Sequence, residues 1–326
     1  MESLLGADEQ DKKMLCQLST DCLSKNSAEK IGRFIGNLHS ELSIDLSGLR
    51  EIRIVADYPA ALARLSEEWG RQIGRTEQTT GVGLASAQTN VCDTGLVHVV
   101  IISDTLVQGI VGEDEVMSRA DAHIILHELI HIQDSNNLWH LGDSWINPSR
   151  ETKFGFLFDI AISAWKEFYA NALAAMFFNM ESDHNLDLLA GALDDVPGMI
   201  QDAVIEFKWT GDASKMMHEV IRHFKLLINS AAYVLGTLDT LRLAGCDSDY
   251  RHKVDTALAH NDRLDVANFR KTWNGMAENL GRLRVSYPNW SEPTEFCDFV
   301  DLMEIYLQEY GLFIYESEDG LGVNLL

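Results

Sequence analysis

The strongest constraint in this sequence is the run ADAHIILHELIHIQDS at residues 120–135. Its apolar residues predict a helix buried on most sides, and a buried helix must satisfy every polar group it carries. His127 and His131 are four residues apart and therefore share a face. Glu128 lies about 100 degrees round the helix from His127, at the edge of that face. This arrangement predicts a zinc site, with a metal-free structural cluster as the alternative.

A catalytic zinc site usually has three protein ligands, so a third is expected downstream. The pattern HExxHxxGxxH is excluded, because Asp134 and Asn137 stand where it needs glycine and histidine. His140 and Glu151 are further candidates, but Glu151 lies in a polar segment where a solvated charge is expected. Glu167 lies in the apolar run AISAWKEFYANALAAMFF, where an unpaired buried carboxylate would cost several kcal/mol or more. We therefore predict Glu167 as the third ligand; the alternative is a position at the wet edge of its helix.

Two further residues are predicted to assist the zinc ligands without binding the metal. Asn171 follows Glu167 by four residues and so lies on the same helical face. From there it could accept a hydrogen bond from the second ring nitrogen of a zinc histidine. His123 precedes His127 by one turn on its face and is a candidate for a similar role.

The two predicted helices together resemble the gluzincin metallopeptidases. The sequence HELIH followed by EFYANALAA is similar to the ImmA/IrrE-like branch of that class, and the resemblance covers roughly residues 28–180. It implies that His127, His131 and Glu167 bind Zn²⁺ and that Glu128 is the general base. It also implies that an extended peptide pairs with a sheet edge, for which we expect the strand HVVIIS before the motif helix.

The fold class predicted from the order of patterns is α+β. Strand patterns occur only between about residues 50 and 107, and the rest of the chain is mainly helical. By resemblance, the sheet is small, antiparallel and zincin-like, with the HExxH helix and the glutamate-bearing helix beside it. Three parts are predicted: an N-terminal tail or helix at 1–27, a zincin-like metallopeptidase domain at 28–183, and a helical C-terminal domain at 184–326.

Composition restricts the partners. The 326 residues carry a formal net charge of −24, which disfavours nucleic acid and anionic membranes as direct partners. No apolar run reaches the length of a membrane span, and the N-terminus lacks the pattern of a secretory signal. The five cysteines are scattered, without a CxxC pair, which predicts reduced thiols rather than a disulfide framework. We expect a cytoplasmic protein.

The resulting hypothesis is a zinc-dependent metallopeptidase that acts on a peptide or protein substrate. The alternative is a non-proteolytic metal-binding or regulatory protein. Such a protein would retain the zincin scaffold and bind a protein partner through its helical part.

Overall fold

The computed structural model describes residues 16–71, 73, 77–78, 81–82, 84–111, 115–178, 184–318 and 320–326. The chain divides into two units. The first consists of Met1–Trp139 and Leu173–Met180, and the second of His140–Ala172 and Glu181–Leu326. The predicted domains differ in grouping residues 140–172 with the N-terminal part, and their boundaries stay a prediction.

The first unit combines a small sheet with helices. Its elements are β1 (Gln17–Thr20), α1 (Lys25–Leu42), β2 (Leu49–Val55), α2 (Tyr58–Trp69), β3 (Glu77–Gln78), β4 (Gly81–Val82), β5 (Ala85–Cys92), β6 (Gly95–Ser103), α3 (Asp104–Val111) and α4 (Glu115–Leu141), of which the last two residues belong to the second unit. The segment predicted as a tail or helix therefore contains β1, a strand too short for its pattern to stand out.

The main sheet has four strands in the order β1-β2-β6-β5. β1 and β2 are parallel, with α1 between them in the chain, and β6 is parallel to β2. β5 and β6 are antiparallel and form a hairpin whose last pair is Cys92 and Gly95. The sheet is therefore mixed, and the predicted antiparallel arrangement holds only for the hairpin.

Helix α2 packs on one face of this sheet. Leu62 and Leu65 join Val99 and Ile101 of β6 in a buried apolar cluster. The helix ends at Gly70, whose φ of 62° is a left-handed conformation that glycine adopts without strain.

The second unit is mainly helical, as predicted. Its elements are α5 (Asp143–Ile146), α6 (Lys153–Phe177, of which the last five residues belong to the first unit), α7 (His184–Thr210), α8 (Ala213–Leu243), α9 (Ser248–Ala259), α10 (Arg263–Val266), α11 (Arg270–Ser286), α12 (Cys297–Glu309), β7 (Leu312–Ser317) and β8 (Gly320–Leu325), with 3-10 turns at His260–Asp262 and Pro293–Phe296. β7 and β8 form an antiparallel hairpin, so strands also occur outside the predicted range of 50–107.

Helices α6 and α8 approach each other closely at Gly236. A Cβ atom at that position would lie 2.6 Å from the carbonyl oxygen of Phe168. One turn further along α8, the Thr240 hydroxyl donates a hydrogen bond of 2.6 Å to the carbonyl oxygen of Ala172. The backbone of α6 on either side of Ala170 is thus held against α8 by direct contact.

Candidate metal centre

Helix α4 brings the two motif histidines together. The Nε2 atoms of His127 and His131 are 3.0 Å apart, and their rings meet edge to face. Two nitrogens bound to one tetrahedral zinc at about 2.0–2.1 Å would be roughly 3.3 Å apart. The measured separation is also that of a hydrogen bond in which one ring donates, so it suits both the metal site and the structural cluster.

Helix α6 contributes the carboxylate that the sequence predicts. One ligand atom each from His127, His131 and Glu167 lies within 4.8 Å of the others. His127 is buried, whereas His131 and Glu167 are partly exposed. Among the described residues no other group of three potential ligands forms such a cluster, and the rival candidates His140 and Glu151 are not in it.

Glu128 is turned toward the sheet rather than into the ligand group. Its Oε2 accepts a hydrogen bond of 2.6 Å from the backbone N–H of Ala87 in β5. The side chain is buried, with only 9% of the residue exposed. A buried carboxylate needs such a donor, because an unpaired one would be strongly destabilised. The contact therefore fixes Glu128 between the motif helix and the outer edge of the sheet.

The two residues predicted to orient the histidines also join helices to each other. His123 is buried, and its Nδ1 lies 2.9 Å from the carbonyl oxygen of Phe178, just beyond α6. The Asn171 amide nitrogen donates to the Tyr233 carbonyl oxygen at 2.7 Å and to the Thr237 hydroxyl at 2.8 Å, both on α8. Both N–H groups of that amide are thus used within the helical packing. That His123 and Asn171 orient His127 and His131 stays a prediction.

A buried polar network under the sheet was missed from the sequence. His98 is fully buried in β6, with its Nε2 3.0 Å from Asn136 Oδ1 and its Nδ1 2.9 Å from Thr89 Oγ1. Asn136 donates its own N–H to the Ser47 carbonyl oxygen, so its oxygen faces His98 and Nε2 must carry the proton. Burial lowers the pKa of His98. A histidine inside the apolar strand LVHVVIIS is the signal that could have revealed it.

β5 lies at an edge of the sheet, whereas the predicted edge HVVIIS lies inside it. That segment belongs to β6, which is hydrogen-bonded to β2 on one side and to β5 on the other. β5 has no strand on its outer side in the described part of the sheet. The Ala87 N–H that holds Glu128 belongs to this outer side. The prediction failed because a strand pattern does not show which of two neighbouring strands ends the sheet.

None of the helices within the described ranges is both long enough and apolar enough to span a bilayer. A scan against protein-family models and searches of curated proteins and of solved structures found no match.

Proposed function

We propose that this chain is a zinc-dependent metallopeptidase of the gluzincin type. The observation that carries the proposal is the group formed by His127, His131 and Glu167, whose ligand atoms lie within 4.8 Å of one another. Glu128 supports it, because it is adjacent in sequence to a ligand and yet bonds to the sheet edge. In this proposal Glu167 would bind the metal, and Glu128, a separate residue, would act as the general base.

The donor set suits zinc. Two imidazoles and one carboxylate, without a thiolate, form the ligand set of many hydrolytic zinc sites, which keep a fourth position open. Imidazole ligands disfavour magnesium and calcium, which prefer oxygen donors. A zinc ion held there would supply Lewis-acid activation of water and of the peptide carbonyl.

Glu128 is proposed as the general base and acid. Its carboxylate would accept the proton that water loses on adding to the peptide carbonyl, and would deliver it to the leaving nitrogen. The Ala87 N–H restricts where Oε2 can lie, which places the proton acceptor beside the outer edge of β5. An extended peptide that pairs with this edge would present its backbone carbonyl groups next to Glu128.

A second candidate function is binding of a protein partner through the helical part, with the metal retained for structure. It is favoured by Trp209 near the end of α7, which is 86% exposed, with Ile205 exposed one turn before it. Large exposed apolar side chains close together are typical of interaction surfaces. This candidate predicts zinc binding without peptide cleavage.

We also propose a cytoplasmic location. All five cysteines are free thiols, which is typical of proteins from reducing compartments. The partner we propose is a peptide or protein, and the net charge of −24 supports exclusion of nucleic acid.

The test compares the wild-type protein with Glu128→Gln. We expect about one zinc per chain in both by elemental analysis, and cleavage of a mixed peptide library by the wild type alone. Loss of the base should lower turnover by roughly 10²–10⁴-fold. Less than about 0.1 zinc per chain without rebinding after chelation would refute the metal site. Equal turnover by the two proteins would refute the role of Glu128.

A further inference from the structure

A second side chain, Arg71, contacts the outer edge of β5. Its Nη2 donates a hydrogen bond of 2.6 Å to the carbonyl oxygen of Thr89. Thr89 lies two residues after Ala87, whose N–H bonds to Glu128, and alternate residues of a strand direct their backbone groups to the same side. Arg71 and Glu128 therefore contact the same edge of β5, at Thr89 and at Ala87, and Gln88 lies between these two strand residues.

Arg71 reaches this edge from the face of the sheet on which α2 packs. Its guanidinium lies over the ring of Trp69, 5.1 Å from the ring centre, and Trp69 packs against the cluster that contains Val99 and Ile101. Gln88 is directly opposite Val99 in the ladder, so its side chain projects from the same face. Arg71 is thus beside the position of Gln88.

The guanidinium of Arg71 has more N–H donors than its bond to Thr89 uses. It has five N–H groups, one of which bonds to Thr89. No carboxylate partner of Arg71 occurs among the residues that the structure describes, whereas Arg53 forms a two-pronged pair with Glu68. Arg71 as a whole is exposed to solvent, although desolvation lowers its pKa. A guanidinium with donors left over is suited to a carboxylate from a ligand.

An extended peptide on this edge has a defined relation to both residues. The Ala87 N–H and the Thr89 carbonyl oxygen are bonded to Glu128 and Arg71, so a peptide on this edge would use other outward backbone groups of β5. In antiparallel pairing, the more stable orientation, the peptide residue before the one opposite Ala87 lies opposite Gln88. Directly opposed residues of paired strands project from the same face. The side chain of that peptide residue therefore extends over the face on which Arg71 lies. Because Glu128 is beside Ala87, this residue is the first or second before the cleaved bond.

We propose that Arg71 is a specificity-determining residue that selects peptides with an aspartate or glutamate at this position. The inference rests on the proposed peptidase function, because the location of Glu128 sets the position of the peptide. It adds a substrate class, acidic on the N-terminal side of the cleaved bond, to that function.

The first test is a cleavage profile. The wild-type chain, loaded with zinc, is incubated with a synthetic peptide library of random sequence, and cleavage sites are read by mass spectrometry. We expect enrichment of Asp and Glu at the first or second residue before the cleaved bond. For matched peptides that differ by Glu or Gln there, we expect about a tenfold difference in kcat/KM.

Three variants identify the cause. Arg71→Gln should abolish the preference, and Arg71→Glu should change it to Lys and Arg. Arg64→Gln, the same charge change at an exposed position of α2, should retain the wild-type preference. A new preference in Arg71→Glu cannot result from loss of folding. Cleavage by the wild type without acidic enrichment, or an unchanged preference in Arg71→Gln, would overturn the role of Arg71 while the peptidase function stands.

A binding experiment separates this inference from the proposed function. The full-length Glu128→Gln chain, with and without Arg71→Gln, is used to select from a displayed random-peptide library. Acidic enrichment that depends on Arg71, with no cleavage by the wild type in any assay, would refute the peptidase function and support the acidic site at β5. Absence of both results overturns both proposals. A dimer of the wild type that Arg71→Glu dissociates would identify a second copy as the occupant of the edge, and would overturn the peptide proposal.

Discussion

Glu128 and Glu167 are carboxylates on long apolar helices, and their surroundings differ. Glu128 is buried and accepts a hydrogen bond from a backbone N–H, which holds a negative charge without a metal. Glu167 is partly exposed, and one of its carboxylate oxygens lies within 4.8 Å of the nitrogens of two histidines. A carboxylate grouped with two imidazoles fits a metal ligand, and a carboxylate held by an amide fits a base.

The first prediction concerns the ligand role of Glu167. Glu167→Gln should weaken zinc binding by more than about 100-fold, since the loss of groups that merely orient ligands already costs 10- to 100-fold. Competition with a fluorescent zinc chelator measures the affinity. Glu151→Gln is the matched control, because the exposed Glu151 is outside the ligand group and should bind zinc like the wild type. Equal affinities for the two variants would contradict the assignment.

The second prediction concerns His98 and pH. Burial lowers the pKa of His98 in the folded protein, whereas in the unfolded chain it is about 6.5. Between these two values the unfolded chain binds the proton and the folded chain does not, so the free energy of unfolding falls as the pH drops below about 6.5. Each unit of lowering corresponds to about 1.4 kcal/mol.

The measurement is urea unfolding of chelator-treated protein at several values between about pH 5 and 7.5. His98→Gln removes the titrating group and should show a shallower pH dependence than the wild type over this range. His252→Gln replaces an exposed histidine and should follow the wild type. Parallel curves for wild type and His98→Gln would mean that His98 is protonated equally in both states.

At the scale of elements, the position of Glu167 depends on how α6 is held. α6 packs on α8 with a carbonyl of one helix facing a glycine of the other, and Asn171 and Ala172 bond to α8 on the following turn. A close approach of this kind has no room for a side chain at Gly236. The fit of these two helices is therefore sensitive to a single methyl group.

The third prediction is that Gly236→Ala destabilises the protein. The added Cβ would lie 2.6 Å from the Phe168 carbonyl oxygen, and overpacking of this kind costs about 1–3 kcal/mol. The control is Gly281→Ala in α11, where an added Cβ meets nothing within 4 Å and alanine should stabilise by up to about 1 kcal/mol. Denaturant unfolding compares the two. Equal changes in stability would show that α6 and α8 are not this close.

The elements show which parts of the fold are predictable from sequence and which are not. The helices α4 and α6 were predicted because their apolar residues persist over many turns. β1 and the β7–β8 hairpin were missed, because runs of four to six residues do not establish a period. The parallel pairing of β1, β2 and β6 was also missed, since a strand's own residues do not specify the direction of its neighbour.

Some contacts of the candidate site were likewise predictable from the sequence, and others were not. His127, His131 and Glu167 were predicted because polar residues in apolar helices need partners, and the structure brings them together. The sequence could not reveal the hydrogen bond from the Ala87 N–H to Glu128, because every residue except proline carries the same backbone N–H. Arg71 was missed because a surface arginine becomes informative only when the strand edge beside it is known.

At the scale of the whole molecule, the metal proposal has a consequence for stability. A ligand that binds only the folded chain stabilises it by an amount set by its concentration relative to Kd. His131 and Glu167 lie on different helices and are 36 residues apart in the sequence, so the complete ligand group exists only in the folded protein. Zinc should therefore be linked to folding and not merely to activity.

The fourth prediction is that zinc raises the melting temperature of the protein. At free zinc about 1,000 times its Kd the stabilisation is about 4 kcal/mol, which corresponds to roughly 5 °C for a chain of this size. Differential scanning calorimetry of the chelator-treated protein, with zinc buffered at increasing free concentration, measures the shift. Glu167→Gln should show a much smaller shift at the same zinc, whereas Glu128→Gln should match the wild type because Glu128 is outside the ligand group. A shift of equal size in all three proteins would place the stabilising ion elsewhere on this acidic chain.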